Sequence, residues 1–265
     1  MAVRTSESKV GKGMDVDAVA LQRAHYDRIA ESFEVHYSDP WSHRYRRQFI
    51  NEPLTRGIEL RGRRVLDAMC GSGQMAAYLV EAGAHVTGLD VSSHVLMQFG
   101  AKLPQAVPVQ GSILDSGFRD SCFDHVFVVG GLHHVHPSVD KALDEIYRIL
   151  KPGGYFCFYE PHAGSVPDFG RRLWYRFDKL FEANEAGIDL GQMKRLNANR
   201  FAFEMTRYTG ALGYLLIHNS YIFRLPLAFK RHYTPPLLRL EAFVEPLQGR
   251  FTACAVLSRW RKKPA

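Results

Sequence analysis

Apolar positions along the chain fall into two regimes. Across residues 16–37 the apolar and aromatic side chains Val19, Ala20, Ala24, Tyr26, Ile29, Ala30 and Phe33 recur at close to a helical period, which predicts an amphipathic helix. A second helical pattern covers residues 43–58, with Pro53 expected to kink or restart it, since proline has no N–H to offer the preceding turn. From Arg63 the rhythm changes to short apolar runs that end in Gly, Asp or Ser and alternate with helical stretches. This predicts strands at 64–68, 84–90, 106–110, 125–129 and 155–160, with helices at 73–82, 93–103 and 138–150, the last stopped by Lys151-Pro152-Gly153-Gly154. Strand–helix–strand alternation implies a parallel sheet.

Beyond Glu160 the order loosens into a helical, aromatic and basic insertion at 165–199, then expected strands at 200–208 and 251–260. The fold class that follows is α/β: a doubly wound, mostly parallel seven-stranded sheet with an N-terminal helical cap and a C-terminal helical insertion. The expected division is a disordered tail over 1–15, a cap over 16–62 and one domain over 63–265, with helical substrate-side insertions at about 163–199 and 210–248.

Cysteine usage and charge narrow the class. Cys70, Cys122, Cys157 and Cys254 lie far apart and form no CxxC pair, so neither a zinc site, nor any other metal centre, nor a disulfide framework is expected. With a polar N-terminal stretch in place of a secretory leader, a cytoplasmic location is expected. The net charge of +7 is uneven: residues 1–150 carry −2 and residues 151–265 carry +9. A basic half suits an anionic small molecule, an anionic membrane surface or nucleic acid. It is equally what solvated helix faces present, and no RNA-binding module is visible.

The chemistry concentrates where the strand Val65-Leu66-Asp67 runs into Ala68-Met69-Cys70-Gly71-Ser72-Gly73 and a helix. Such a turn brings a ligand close to backbone and helix N-terminus. Asp90, at the end of the second strand and 19 residues after Gly71, can accept from both hydroxyls of a ribose. The run Gly71-Ser72-Gly73-Gln74-Met75-Ala76 also satisfies the dinucleotide fingerprint GxGxxA, which would imply a nicotinamide oxidoreductase. Asp67 argues against that, because a carboxylate beside the turn repels a pyrophosphate and favours a cation.

VLDAMCGSG, GLDVS, FDHVFVVGGLHHV and LKPGG, in this order and spacing over about a hundred residues, resemble the class I S-adenosylmethionine methyltransferases of the type 11 group. That resemblance implies the Rossmann-like methyltransferase fold and S-adenosyl-L-methionine as cofactor. It matches Asp67, Ala68, Met69, Gly71 and Gly73 to the turn around the methionine end, and Asp90 and Val91 to the ribose and adenine. Ser112 and Ile113 match the adenine edge, and Gly130 and Gly131 the loop beside the sulfonium. Met69 stands where the family has its first glycine, and Ser112 where an Asp is common. Tyr26 and Tyr37 resemble the tyrosine-bearing cap that closes over the cofactor, or are plain helical core.

His133 and His134 follow the fourth strand, where one of them, His133 by preference, is expected to act as general base. Glu160 and His162 are further candidates on the acceptor side. The implied activity is methyl transfer to a small-molecule, glycan or lipid-linked acceptor, at oxygen. RNA methylation and a non-catalytic cofactor-binding partner subunit are the rival readings. Residues 210–233, which include Arg224, Lys230, Arg231 and His232, read either as a mobile lid or docking face for an apolar, acidic acceptor, with peripheral contact to an anionic membrane as a further role, or as a helix packed over the sheet.

Overall fold

The computed structural model describes residues 36–175 and 186–264. The predicted helix over 16–37, with Tyr26 on it, and the tail before it therefore lie outside the described residues, apart from the last two positions.

The described chain opens with α1 (Pro40–Arg46), a π-helical turn at Arg47–Asn51 and α2 (Glu52–Thr55). Asp39 caps α1, its Oδ1 accepting from the N–H groups of Trp41 and Ser42. Pro53 does not break this helix. Lacking the N–H that would return to Phe49, it is accommodated by the wider π turn just before it.

There follow β1 (Arg64–Ala68), α3 (Gln74–Glu81), β2 (His85–Asp90), α4 (Ser93–Lys102), β3 (Val107–Gln110), β4 (Phe123–Val129), α5 (Val139–Ile149) and β5 (Leu150–Pro161). Then come α6 (Val166–Tyr175), α7 (Leu190–Asn197), β6 (Phe201–Thr209), a π turn at Tyr214–His218, α8 (Leu227–Val244) and β7 (Ala255–Lys262). The expected strands shift by up to five residues at their ends. The largest differences are β5, which takes in the Lys-Pro-Gly-Gly stretch, and β7, which begins at Ala255 rather than Phe251.

Strands run in the order β3-β2-β1-β4-β5-β7-β6. All neighbours are parallel except β7, which runs antiparallel between β5 and β6. Alternation along the buried strands divides the core in two. Leu66, Val126, Val128, Phe156 and Phe158 face one side, where α5 buries Ala142, Leu143, Ile146 and Ile149. Val65, Phe127, Cys157 and Tyr159 face the other, against α1, α3, α4 and α8. Each such aliphatic side chain contributes about 1.5–3 kcal/mol, so Leu143→Ala would remove a substantial part of what holds α5 down.

The chain leaves β1 toward β2 and β3 on one side, then returns to place β4 on the other. The crevice at this reversal, outside the carboxyl ends of β1 and β4, is where open α/β sheets bind ligands. Among the described residues no helix is long and apolar enough to cross a membrane.

Candidate active site

The turn after β1 is built from backbone that L-residues avoid. Met69, Gly71 and Gly73 all have left-handed φ, at +59°, +52° and +92°. Gly73 has to be glycine twice over, since a Cβ there would sit 2.8 Å from the Phe99 ring and 2.9 Å from Leu103. The turn is tied sideways to β2 by the Cys70 N–H, which donates to Leu89 O at 3.1 Å.

Two carboxylates line this turn. Asp67 is buried, and its Oδ2 accepts from the Ala76 N–H at 2.9 Å, so the start of α3 already carries a carboxylate. Asp90 accepts from Gly71 N–H at 2.9 Å through Oδ2 and from Ser92 N–H at 3.0 Å through Oδ1. Burial pushes both carboxyls up, Asp67 far above the usual range, and the proximity of Asp90 adds to the rise at Asp67.

On the far side, Glu160 near the end of β5 reaches under the loop that follows β4. Fully buried, it accepts from Gly131 N–H and Leu132 N–H at 2.8 Å each, from His133 N–H at 3.3 Å and from His133 Nδ1 at 2.8 Å. Burial raises its carboxyl to about 7, against the pull of those N–H groups. The His134 ring lies over that of His133, with centroids 3.8 Å apart. Gly131 leaves no room for a side chain, because a Cβ would lie 2.8 Å from Met69 Sδ.

Between these two groups lies a cavity of about 220 Å³. The sheet contributes Asp67, Asp90 and Val129 to its walls, and the strand-end loops contribute Met69, Gly71, Val91, Ser112, Ile113, Gly130, Gly131, His133 and His134. Ala68 and Gly73 do not line it: Ala68 is core, and Gly73 packs against α4. Ser112 is turned into its own loop, its Oγ accepting from Leu114 N–H at 3.2 Å. His162 lies away from the cavity, its Nε2 3.0 Å from Arg250 O and its ring against Tyr208.

The remaining wall comes from Tyr37 and Arg46, from Tyr159 on β5, and from the expected substrate-side insertion at 210–248. The Tyr37 hydroxyl donates to Asn219 Oδ1 at 3.0 Å. Buried Arg46 holds the Tyr37 carbonyl at 2.5 Å, and Tyr159, Tyr214 and His218 close the space above β5. The Tyr159 hydroxyl and His218 Nδ1 are buried with no hydrogen-bond partner among the described residues. Burial, with Arg46 and Lys230 nearby, pushes the His218 imidazole down to about 3, so it is neutral.

Lys230, expected on an outward basic face, is instead fully buried. Its Nζ donates to Asp39 Oδ2 at 2.5 Å, to Ser42 Oγ at 2.7 Å and to His36 O at 3.2 Å, fastening α8 to the start of α1. A lysine stem threads easily through apolar packing when its ammonium meets a carboxylate, and hydropathy does not reveal that partner.

Residues 66–158 match the family model described as a methyltransferase domain. Over 137 residues the chain is 39% identical to an uncharacterized methyltransferase of Synechocystis sp., which covers 50% of this chain and 64% of that protein. Over 183 residues it is 30% identical to a malonyl-[acyl-carrier protein] O-methyltransferase of Pseudescherichia vulneris, covering 69% of this chain and 64% of that protein. The chain carries a class I methyltransferase domain over residues 66–158. It spans less than two thirds of the length of these two relatives. The solved structure of an S-adenosylmethionine-dependent methyltransferase of Thermotoga maritima shares the fold at 18% identity, with a TM-score of 0.60 over 91% of this chain and 99% of that one.

Against the class I pattern, the methionine in place of the first glycine changes the side chain but not the backbone path, because Met69 adopts the left-handed φ that glycine would take. Arg46, Tyr159 and His218 are the residues that sequence reading missed. Arg46 carried a usable signal: it follows Tyr45 and precedes Phe49 and Ile50, so it lies next to the apolar stripe of its helix.

Proposed function

We propose that this chain transfers a methyl group from S-adenosylmethionine to an oxygen of a small-molecule, glycan or lipid-linked acceptor. The observation that carries the reading is the pair of buried carboxylates, Asp67 and Asp90, on the cavity wall beside the turn after β1. Their elevated proton affinities are what burial imposes on two neighbouring acids, and a ligand with an ammonium and a sulfonium relieves it. A nicotinamide dinucleotide fits poorly. Its pyrophosphate would need the helix N–H groups at the start of α3, where Asp67 already accepts from Ala76.

The residues present fit the cofactor. Asp90 would take the ribose hydroxyls on the lone pairs not used by Gly71 and Ser92, and Val91 and Ile113 would flank the adenine. Asp67 would face the cationic end, and Arg46 the carboxylate. Tyr37, whose hydroxyl is engaged by Asn219, would close that wall rather than bind the carboxylate itself. When bound, the cofactor supplies a methyl carbon already activated by a cationic sulfur.

What remains for the protein is alignment and a proton. Once ionised, above about pH 7, the Glu160 carboxylate only accepts, so it draws the Nδ1 proton of His133 toward itself and leaves Nε2 as the basic nitrogen. His133 Nε2 would take the proton of an acceptor hydroxyl as the carbon–oxygen bond forms, and aligning the reactants contributes on the order of 7–11 kcal/mol. Tyr159, Tyr214 and neutral His218 give the acceptor side an aromatic, uncharged lining, which supports a partly apolar acceptor. The relative named as an O-methyltransferase supports oxygen as the target. On this reading residues 63–265 form the cofactor-binding domain, and 163–199 and 210–248 its acceptor-side insertions.

Calorimetric titration with S-adenosylmethionine and with NADH tests the cofactor, and release of S-adenosylhomocysteine across a panel of hydroxylated acceptors tests the reaction. Binding of NADH without S-adenosylmethionine would sink the proposal. Cofactor binding with no turnover on any acceptor would leave the non-catalytic partner subunit.

A further inference from the structure

Over residues 163–174 and 221–252 the outer surface of the C-terminal insertions combines exposed apolar side chains with exposed charge of one sign. On α6, Val166, Phe169 and Leu173 follow helical spacing and are 75%, 75% and 51% exposed, while Asp168 between them is buried. On α8 the side facing the protein is Lys230, Thr234, Leu238 and Glu241, and at the outer end Phe243 is 74% exposed. The chain then turns through Leu247 and Phe251, which are 75% and 62% exposed. Single exposed apolar residues are ordinary, but six large ones on adjoining elements are not.

These elements do adjoin. The Val166 N–H donates to Phe251 O at 2.9 Å, so α6 begins against the turn that follows α8. Near its other end Trp174 packs edge-on against Phe223, with ring centroids 4.9 Å apart, just ahead of α8. Tyr221 and Ile222, immediately before Phe223, line the cavity, so the apolar face borders the cavity mouth.

The charge on this surface identifies what it faces. Within residues 163–174 and 221–252 the acids are Asp168, Glu241 and Glu245, and all three are buried. Arg172, Arg224, Arg231, Arg239 and Arg250 are exposed. Arg172 pairs with Asp168, which also holds Arg171, so α6 keeps a net positive charge. Arg250 lies over the Phe251 ring at 4.8 Å, putting a cation at the edge of the apolar patch. A second protein surface would be expected to meet a mixture of signs. Exposed Phe and Leu among arginines, with the three acids of these described segments withdrawn, match an anionic lipid interface, where apolar groups enter the acyl boundary and arginines meet headgroups.

We propose that α6, the outer end of α8 and the turn through Phe251 seat the protein on an anionic bilayer surface, with the cavity mouth at headgroup level. This stands independently of the methyl-transfer reading, since none of these residues lines the cofactor cavity. It also moves the docking face away from the buried Lys230, which cannot reach headgroups.

Flotation with vesicles of phosphatidylcholine alone, and of phosphatidylcholine mixed with phosphatidylglycerol, tests it in the full chain. The expected result is binding to the mixed vesicles only. Phe169→Glu with Phe251→Glu should abolish binding, and Arg239→Glu or Arg250→Glu should each weaken it by at least about fivefold, the equivalent of ~1 kcal/mol per arginine. Thermal melting and S-adenosylhomocysteine binding should match the parent in all three variants. Failure of the parent to bind mixed vesicles, or equal binding to both vesicle types that survives these substitutions, would overturn the proposal. So would a dimer in analytical ultracentrifugation that Phe169→Glu dissociates, in a protein that ignores vesicles, because the face would then belong to a second copy.

Discussion

His133 Nδ1 and Glu160 Oε2 lie 2.8 Å apart, and the same carboxylate gathers the N–H groups of Gly131, Leu132 and His133, so β5 fastens the loop after β4 through one buried side chain. Glu160→Gln separates the two consequences. The amide oxygen can keep the bonds to Gly131 and Leu132, but the amide nitrogen, now a donor, opposes the donors of His133, and the imidazole must change tautomer to accept. Turnover should fall by about 10²-fold or more, with S-adenosylmethionine affinity changed by less than about threefold. Ring nitrogen shifts of His133 in the S-adenosylhomocysteine-loaded protein report the tautomer directly. A parent-like tautomer and rate in the variant would reduce Glu160 to loop packing.

Glu160 also sets a pH dependence of stability. Its carboxyl is raised to about 7 in the fold from an ordinary 4.5, so the native state holds this proton where the unfolded chain has lost it. The resulting stabilisation is complete below the unfolded value and is lost as pH rises through about 7. The melting temperature of the ligand-free protein should therefore decline between about pH 5 and pH 8, and Glu160→Gln should flatten that decline.

Asp67 and Asp90 predict proton release on cofactor binding. Both carboxyls are raised by burial, and a cationic ligand favours their charged forms, so affinity for S-adenosylmethionine should weaken as pH falls. Titrations in buffers of different ionisation enthalpy count the protons released, and Asp67→Asn should lower the count. Asp90→Ala should cost roughly 1.5–3 kcal/mol of affinity, the range for a hydrogen bond to a charged group. Parent-like affinity in that variant would remove Asp90 from the cofactor site.

Lys230 is a stability prediction. Burial alone would raise Asp39, but hydrogen bonds from Lys230 and Ser42 hold its carboxyl below the ordinary value. Lys230→Met removes one partner of a pair whose side chains are 1% and 12% exposed, and should cost about 3 kcal/mol in urea denaturation. Adding Asp39→Asn should recover a large part, since no lone charge is then left behind. A Lys230→Met protein as stable as the parent would mean that water reaches this pair.

Local pattern carried most of the sheet. The apolar runs of β1, β2 and β4 are buried on both faces, and each ends in a turn that Gly or Asp punctuates, so both position and direction were legible. Asp67, Asp90 and the loop glycines were legible because they are fixed by the strands they end. The rest depends on segments meeting across long sequence separations. Arg46 and His218 come together only because α1 and the π turn at Tyr214–His218 pack over the same strand ends, as the Ser42 Oγ bond to Ile217 O across 175 positions shows. The pattern that made Lys230 look superficial is blind to an aspartate 191 positions away.

Met69 and Gly131 are coupled across the reversal point between β1 and β4. Met69 holds a left-handed φ of +59°, which costs a residue with a Cβ roughly 1–2 kcal/mol, and its sulfur and Cβ fill the space where a side chain on residue 131 would go. Gly131→Ala alone should therefore be strongly unfavourable. The new methyl would lie 2.8 Å from Met69 Sδ and 2.9 Å from both Met69 Cβ and Val128 Cγ1, and overpacking of that kind costs about 1–3 kcal/mol. Met69→Gly should be near neutral, because relief of the backbone offsets the lost contacts of a half-buried side chain. Combined, the two should interact favourably by about 1 kcal/mol or more in a double-mutant cycle read by urea denaturation, since glycine at 69 clears two of the three clashes. The cycle also reads function: if Met69 only fills space, S-adenosylmethionine affinity should follow stability through all four proteins. A Met69→Gly protein that keeps its stability but loses cofactor affinity would instead assign the thioether a direct part in holding the ligand, and additive stabilities would show that the two residues do not touch in solution.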